Sequence, residues 1–286
     1  MVVVTYLWIG LAGLVVLLAG GAASDPAKAT PDRLPETAGL RDVLGQPVPP
    51  RPRHRVVALA PSVTETLFAA GFGKRVVGVS RHSDFPAEAR RLPVVGDAEH
   101  VSTERLVTLR PDLVLAVEGS GIGLDRLQRL LKVPVVVLPG DRLDAPARHA
   151  EALAPVLGPS GLDFARRYRS DLARVKAFPP GRSALWVIWH RPVMVAGPGT
   201  YLDDLLGHLG ITNLALRPGY ALYPDERLVA LPPTLIMYPD DVDIGPVRAR
   251  APRARFLPLP ADLASRPGPR LPRLLARVAR DLAREP

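Results

Sequence analysis

No cysteine occurs among the 286 residues. That absence excludes disulfides, a thiolate nucleophile, iron-sulfur clusters, cysteine-ligated zinc and a lipid-modified cysteine near the N-terminus. Aromatic side chains make up only 5% of the chain. The six histidines, at 54, 82, 100, 149, 190 and 208, lack the close spacing of a zinc site, which disfavours a receptor for bare zinc or manganese. Missing as well are a Gly-x-Ser-x-Gly elbow, a Walker-type phosphate loop and a His-Glu-x-x-His pair. The adjacent acids Asp203-Asp204 and Asp240-Asp241 point to different sides or suit a turn, so glycosidase chemistry has no positive support. The residues ask for no metal, no cofactor and no enzyme.

What is present fits an ordinary globular protein: 47% hydrophobic and 23% charged residues, despite 33 prolines and 24 glycines. The length suits two compact lobes or one large one. A formal net charge of +9 raises the question of an anionic partner. The basic residues are nearly all arginine and lie scattered, which describes a solvated surface rather than a nucleic-acid site. Residues 1–23 carry no charge, and the run from Tyr6 to Ala19 is apolar throughout. This segment reads either as a signal peptide, ending in Gly21-Ala22-Ala23-Ser24 but lacking a basic start, or as a retained membrane anchor. Both readings send the remainder out of the cytoplasm. Residues 24–53, rich in proline and charge, read as a tether able to reach about 100 Å when extended.

From residue 54 the pattern alternates. Val56 to Ala60 is a short β-branched run, and Ser62-Val63-Thr64-Glu65 has the capping-box pattern that opens a helix. Strands follow at Arg75 to Val79, Leu113 to Val117 and Val133 to Leu138, with helices at Thr103 to Arg110 and Asp125 to Leu131. Residues 54–143 thus form an α/β lobe with a parallel sheet. Residues 144–180 read as helix alone: Ala145 to Leu157, then Gly161 to Phe178 as a rigid spacer of about 27 Å. In residues 181–286 the alternation resumes, with strands at Ala184 to Trp189, Thr234 to Tyr238 and Arg255 to Leu259. A helix from Tyr201 to Leu209 and a last one bearing Leu274, Leu275, Val278 and Leu282 complete this second lobe.

The sharpest internal signal is a repeat. Glu104-Arg105-Leu106-Val107, leading through a proline turn into the strand at Leu113, is echoed by Glu226-Arg227-Leu228-Val229, leading through Pro232-Pro233 into the strand at Leu235. Two lobes built on one plan are implied, each presenting a glutamate at the start of an equivalent helix.

At Arg55 to Glu65, Val77 to Pro86, Val101 to Leu115 and Trp189 to Asn213, the sequence resembles the helical-backbone solute-binding proteins that deliver cobalamin, haem and iron-siderophores to ABC importers. The resemblance covers residues 54 to 284 and is nearest to the cobalamin-binding members. It implies two Rossmann-like lobes with mostly parallel sheets joined by a long helix, a ligand between them, and a monomer serving a permease dimer. It also implies that Glu104 and Glu226 dock on arginines of the two permease subunits. Taken alone, each glutamate equally suits a cap or a helix-dipole partner. The transported ligand implied is cobalamin or a related corrinoid, with haem or an iron-siderophore as the alternative. A membrane-tethered enzyme or basic surface-binding protein on the same fold is the reading from another class.

Ligands of open α/β sheets sit beyond the carboxyl ends of the strands. That rule selects Ser62, Arg81, His82, Glu118, Trp189, His190 and Asp240. Ser62 either caps its helix or precedes free amides that would take an anionic group. Trp186 and Trp189 fall on opposite faces of one strand, which leaves Trp189 with His190 as a ligand-facing pair. His82 is either a solvated loop histidine or a corrinoid contact, and Arg81 would suit an anionic chelate. Tyr201, with Tyr220 and Tyr223, either reaches the cleft or follows a glycine-rich stretch, Ala196 to Thr200, that merely permits a tight turn.

Overall fold

The computed structural model describes residues 39–97, 100–118 and 123–284. The expected signal or anchor segment, the first part of the tether, and Gly119-Ser120 after Glu118 lie outside them. In the first half, strands β1 (Val56–Ala58), β2 (Val76–Ser80), β3 (Val94–Gly96), β4 (Leu113–Val117) and β5 (Val135–Leu138) alternate with helices α1 (Pro61–Ala69), α2 (Thr103–Leu109) and α3 (Leu124–Leu131). Two longer helices follow, α4 (Ala145–Leu157) and α5 (Ser160–Ala173). The second half holds strands β6 (Ser183–His190), β7 (Val193–Ala196), β8 (Thr212–Asn213), β9 (Tyr220–Leu222), β10 (Leu235–Pro239) and β11 (Arg255–Leu259). Its helices are α6 (Tyr201–His208), α7 (Asp225–Ala230), α8 (Gly245–Arg250), α9 (Ala261–Ala264) and α10 (Leu271–Ala283).

The two sheets have one plan. The first runs β3-β2-β1-β4-β5, with every pair parallel. The second runs β9-β7-β6-β10-β11, matching the first strand for strand, with the two-residue β8 added in parallel beside the start of β6. The repeat seen in the sequence is the crossover: β3-α2-β4 and β9-α7-β10 each leave an edge strand, pass two strands and join the sheet again. One departure separates the lobes. β7 pairs antiparallel with both β6 and β9, because a two-residue turn at Arg191-Pro192 folds the chain straight back. Neither β7 nor β9 was expected; the turn lacks the Asn-Gly or Asp-Gly signature by which short hairpins are read.

Along β6, Ala184 and Trp186 face one core cluster, while Leu185 and Val187 face another. The larger cluster is continuous across the molecule, from Val56 and Leu115 through Leu153 and Phe164 to Trp186, Leu205 and Leu282. A single core therefore ties both lobes to the helices between them.

Those helices differ from the expected rod. α5 spans 14 residues, about 21 Å, and ends at Ala173 rather than Phe178. It lies against α4, where Gly161 permits close crossing: a Cβ there would stand 2.4 Å from the Ala150 carbonyl. Each end of the α5 segment is pinned to a different lobe. Ser160 Oγ donates to the Ala70 carbonyl at 2.8 Å, and His208 Nε2 donates to the Leu172 and Val175 carbonyls at 3.1 Å.

The tether also needs correction over its second part. Leu40 and Val48 are buried in the main core, and Arg53, 3% exposed, donates its backbone N–H to the Val156 carbonyl. Asp42 closes a turn by accepting from Leu44 and Gln46 N–H groups, and its other oxygen takes the Gln128 side chain at 2.6 Å. Prolines drew attention away from two isolated apolar residues that dock without any periodicity. A chain beginning at His54 is expected to melt well below one beginning at Ser24, since it loses Leu40, Val48 and Arg53 from the core. Equal melting temperatures in thermal unfolding would contradict that packing.

Candidate functional site

The helix after β1 begins two residues earlier than its capping box suggests. Ala60 is the N-cap without a side-chain bond, Pro61 is the first helical residue, and Ser62 lies inside the helix. Glu65 is consequently free of capping duty and turns inward, 1% exposed. Two arginines from the segment between α9 and α10 in the other lobe meet it. Arg270 donates from Nε and Nη2 to the two carboxylate oxygens at 2.8 Å each, and Arg266 Nη1 reaches Oε1 at 3.2 Å. The bidentate fork is the strong form of this pairing.

Arg266 also bonds Asp84 Oδ1 at 2.6 Å, and Arg270 also bonds the Asp262 carboxylate. The Phe85 ring packs under the Arg270 guanidinium, 4.3 Å from its centroid to Cζ. Desolvation opposes charge on both arginines, but hydrogen bonds to Asp84, Glu65 and Asp262 outweigh it and raise their pKa values. Desolvation likewise pushes the Asp84 carboxyl up, yet its bond to Arg266 and that charge prevail and hold it below the usual range. Nearby, Ser83 is fixed by Thr64 Oγ1 at 2.9 Å and by Ser80 Oγ at 2.8 Å. The loop carrying His82 to Phe85 is thus braced from three sides at the junction of the lobes.

Several expected ligand residues belong to this junction. Ser62 is there but 8% exposed, packed beneath Gly268, with no room to offer amides to a large anion. His82 is half-buried; burial first, and the Arg81 charge second, lower its pKa and keep the imidazole neutral near pH 7. Arg81 is exposed and pairs with Asp97 at 3.5 Å, so it is not a free cation. Trp189 and His190 stand together beyond the core at the end of β6, their ring centroids 5.0 Å apart. Trp189 Nε1 donates to the Arg191 carbonyl at 2.9 Å, while His190 Nδ1 is buried without a hydrogen-bond partner among the described residues.

Other expectations fail on packing. Tyr201 is 2% exposed and its hydroxyl donates to the Ala264 carbonyl at 2.6 Å, so it is a core residue. Tyr223 is buried in the smaller core under Arg227. The glycine stretch before Tyr201 has a structural cause: a Cβ on Gly197 would lie 1.9 Å from the Arg217 carbonyl. Asp240 accepts from the Ala261 N–H at 3.0 Å and closes the turn into α9. Glu118 is grouped with Asp141 and Arg148; partial desolvation, then the Asp141 charge, raise its carboxyl. Glu65, Asp84, Phe85, Asp262, Arg266 and Arg270 went unnoticed in the sequence, because Glu65 resembled a cap and the arginines one more basic surface run.

Glu104 and Glu226 are exposed, each the second residue of its helix, α2 and α7. Neither has an ion-pair partner among the described residues, although Asp225 beside Glu226 is held by Arg250 at 2.7 Å. In each crossover the helix runs back against the parallel strands, which brings both glutamates to the carboxyl edge of their sheets.

Two lobes of one plan thus share a single core through their connecting helices and meet at a buried ionic junction. Residues 56–241 match the family model described as "Periplasmic binding protein", and the chain belongs to that family. It is 27% identical over 295 residues to the ABC transporter substrate-binding lipoprotein YvrC of Bacillus subtilis strain 168, covering 93% of this chain and 92% of that protein. A vitamin B12-binding protein of Yersinia pestis is 34% identical over 123 residues, which is 42% of this chain and 44% of that one. A crystal structure of a periplasmic haem-binding protein from Pseudomonas aeruginosa superposes with a TM-score of 0.65 at 26% identity, over 80% of this chain and 92% of that one. The chain is a substrate-binding component of an ABC transporter, working outside the cytoplasm. Among the described residues no helix is long and apolar enough to cross a membrane, and no group of three or more metal-ligating side chains is gathered.

Removing the Glu65 charge leaves two buried guanidinium groups short of their shared partner. Glu65→Gln is expected to lower stability by about 3 kcal/mol. Urea unfolding with an unchanged slope would read this as a lower midpoint, and a midpoint equal to wild type would refute the account.

Proposed function

We propose that this receptor carries cobalamin or a related corrinoid between its lobes and hands it to a permease dimer. The observation that supports this most is the Trp189-His190 pair, an aromatic wall at the carboxyl end of β6. A large flat ligand rewards such a wall. The partial likeness to a vitamin B12-binding protein points the same way. Haem is the second reading: the neutral His82 imidazole is free to act as an axial ligand, whereas Tyr201 is not. With the full-length protein, cyanocobalamin and haemin titrations should give saturable binding of the first in preference to the second. Binding of haemin alone would favour the second reading, and failure of cyanocobalamin, haemin and ferric chelates to bind would sink both.

Docking is assigned to Glu104 and Glu226, whose carboxylates are exposed, without an ion-pair partner among the described residues, and equivalent by the repeat. Exposed ion pairs contribute roughly 0.2–1 kcal/mol each, so their work is orientation and steering. Glu104→Ala combined with Glu226→Ala should leave cyanocobalamin affinity intact while cellular uptake falls steeply. Loss of ligand affinity in that variant would refute the assignment.

A further inference from the structure

Among the described residues only two valines are exposed, Val107 at 56% and Val229 at 63%. Isolated apolar side chains on a surface need no explanation. These two are not isolated events, because they occupy the same register of the repeat, each three residues after a glutamate on an equivalent helix. Residues three apart lie on one helix face, one turn from each other. The helix faces that bury Leu106 and Leu228 point away from them. The aliphatic side chain is thus held in water twice, in both lobes, beside a carboxylate that has no partner within the described protein. Leu231, 64% exposed, follows at the end of α7, but two positions from Val229 it lies on another side of the helix.

We propose that Glu104 with Val107, and Glu226 with Val229, form two equivalent mixed docking surfaces, in which the valines supply the contact that salt does not screen. This rests on the transport reading given above. The occupant is a two-fold symmetric membrane partner that presents, at each of two like sites, an arginine for the carboxylate and an apolar side chain one helical turn away. Unpaired carboxylates call for cations, and arginine suits them because its guanidinium is planar and weakly hydrated. Exposed charge pairs alone hold weakly, so an orienting glutamate needs an apolar neighbour to convert encounter into residence. Two copies of one surface on a single chain require two copies of one site on the partner, as in a homodimer.

The test uses source cells lacking the gene for this chain, complemented with full-length variants and supplied with radiolabelled cyanocobalamin or haemin, whichever the purified wild type binds. Val107→Ser or Val229→Ser alone should lower uptake about tenfold, and the pair further still, as expected for exposing one buried valine at each site. The pair Val107→Ile with Val229→Ile should retain uptake. Purified serine variants should keep wild-type ligand affinity and melting temperature. Wild-type uptake by the double serine variant, with Glu104→Ala/Glu226→Ala inactive, would overturn the apolar contact while leaving charge docking intact. Loss of ligand affinity with the valines would overturn it too, by making them structural. If the wild type neither binds either compound nor restores uptake, the transport reading itself fails and the proposal with it.

Discussion

Glu65 is buried against a charge from the opposite lobe, and much of the molecule answers to that one placement. A carboxylate removed from water costs several kcal/mol unless its partners are well aimed. Here they are: a bidentate guanidinium from Arg270 and a second from Arg266, each in turn satisfied by an acid nearer the surface. Because Glu65 stands on α1 and the arginines precede α10, the network specifies how the lobes meet as well as that they meet. It also positions Asp84 and Phe85, and with them the loop of His82. A junction of this type resists wide opening, since separation would break the Glu65 bonds to Arg266 and Arg270 together with the Asp84–Arg266 bond.

Around that junction the chain uses the same supersecondary plan twice. The strands correspond place for place, and the crossovers β3-α2-β4 and β9-α7-β10 carry the same four residues. Duplication in sequence has become approximate symmetry in space, which is what a symmetric partner would need. The asymmetry lies in the extra β8 and in β7, whose reversed pairing with β6 and β9 builds the end of β6 where Trp189 and His190 stand. The symmetric part suits a shared partner, and the asymmetric part suits a ligand of its own.

Most of the architecture could be read from residue patterns. Continuous apolar runs such as Leu113 to Val117 announce buried parallel strands, and the Leu274, Leu275, Val278 and Leu282 stripe of α10 announces a helix packed on one face. The candidate site was legible only in part. The position of Trp189 and His190 at a strand end, and of Glu104 and Glu226 at equivalent helix starts, could be read from the sequence; the role of these residues is a proposal. Tyr201 was misplaced because exposure depends on which way a helix faces, a matter that its glycine-rich approach does not reveal. The proline-rich stretch hid Leu40 and Val48, since two apolar residues give no period to detect.

By itself the sequence determined the α/β alternation, the duplication and the absence of thiol chemistry, all of which rest on local composition and spacing. The partners of charged side chains were decided by tertiary structure alone. Glu65 and Arg270 are 205 residues apart in the chain. Nothing local distinguishes a glutamate that caps its own helix from one that binds two distant arginines; the difference arises only when the lobes close over it and water leaves.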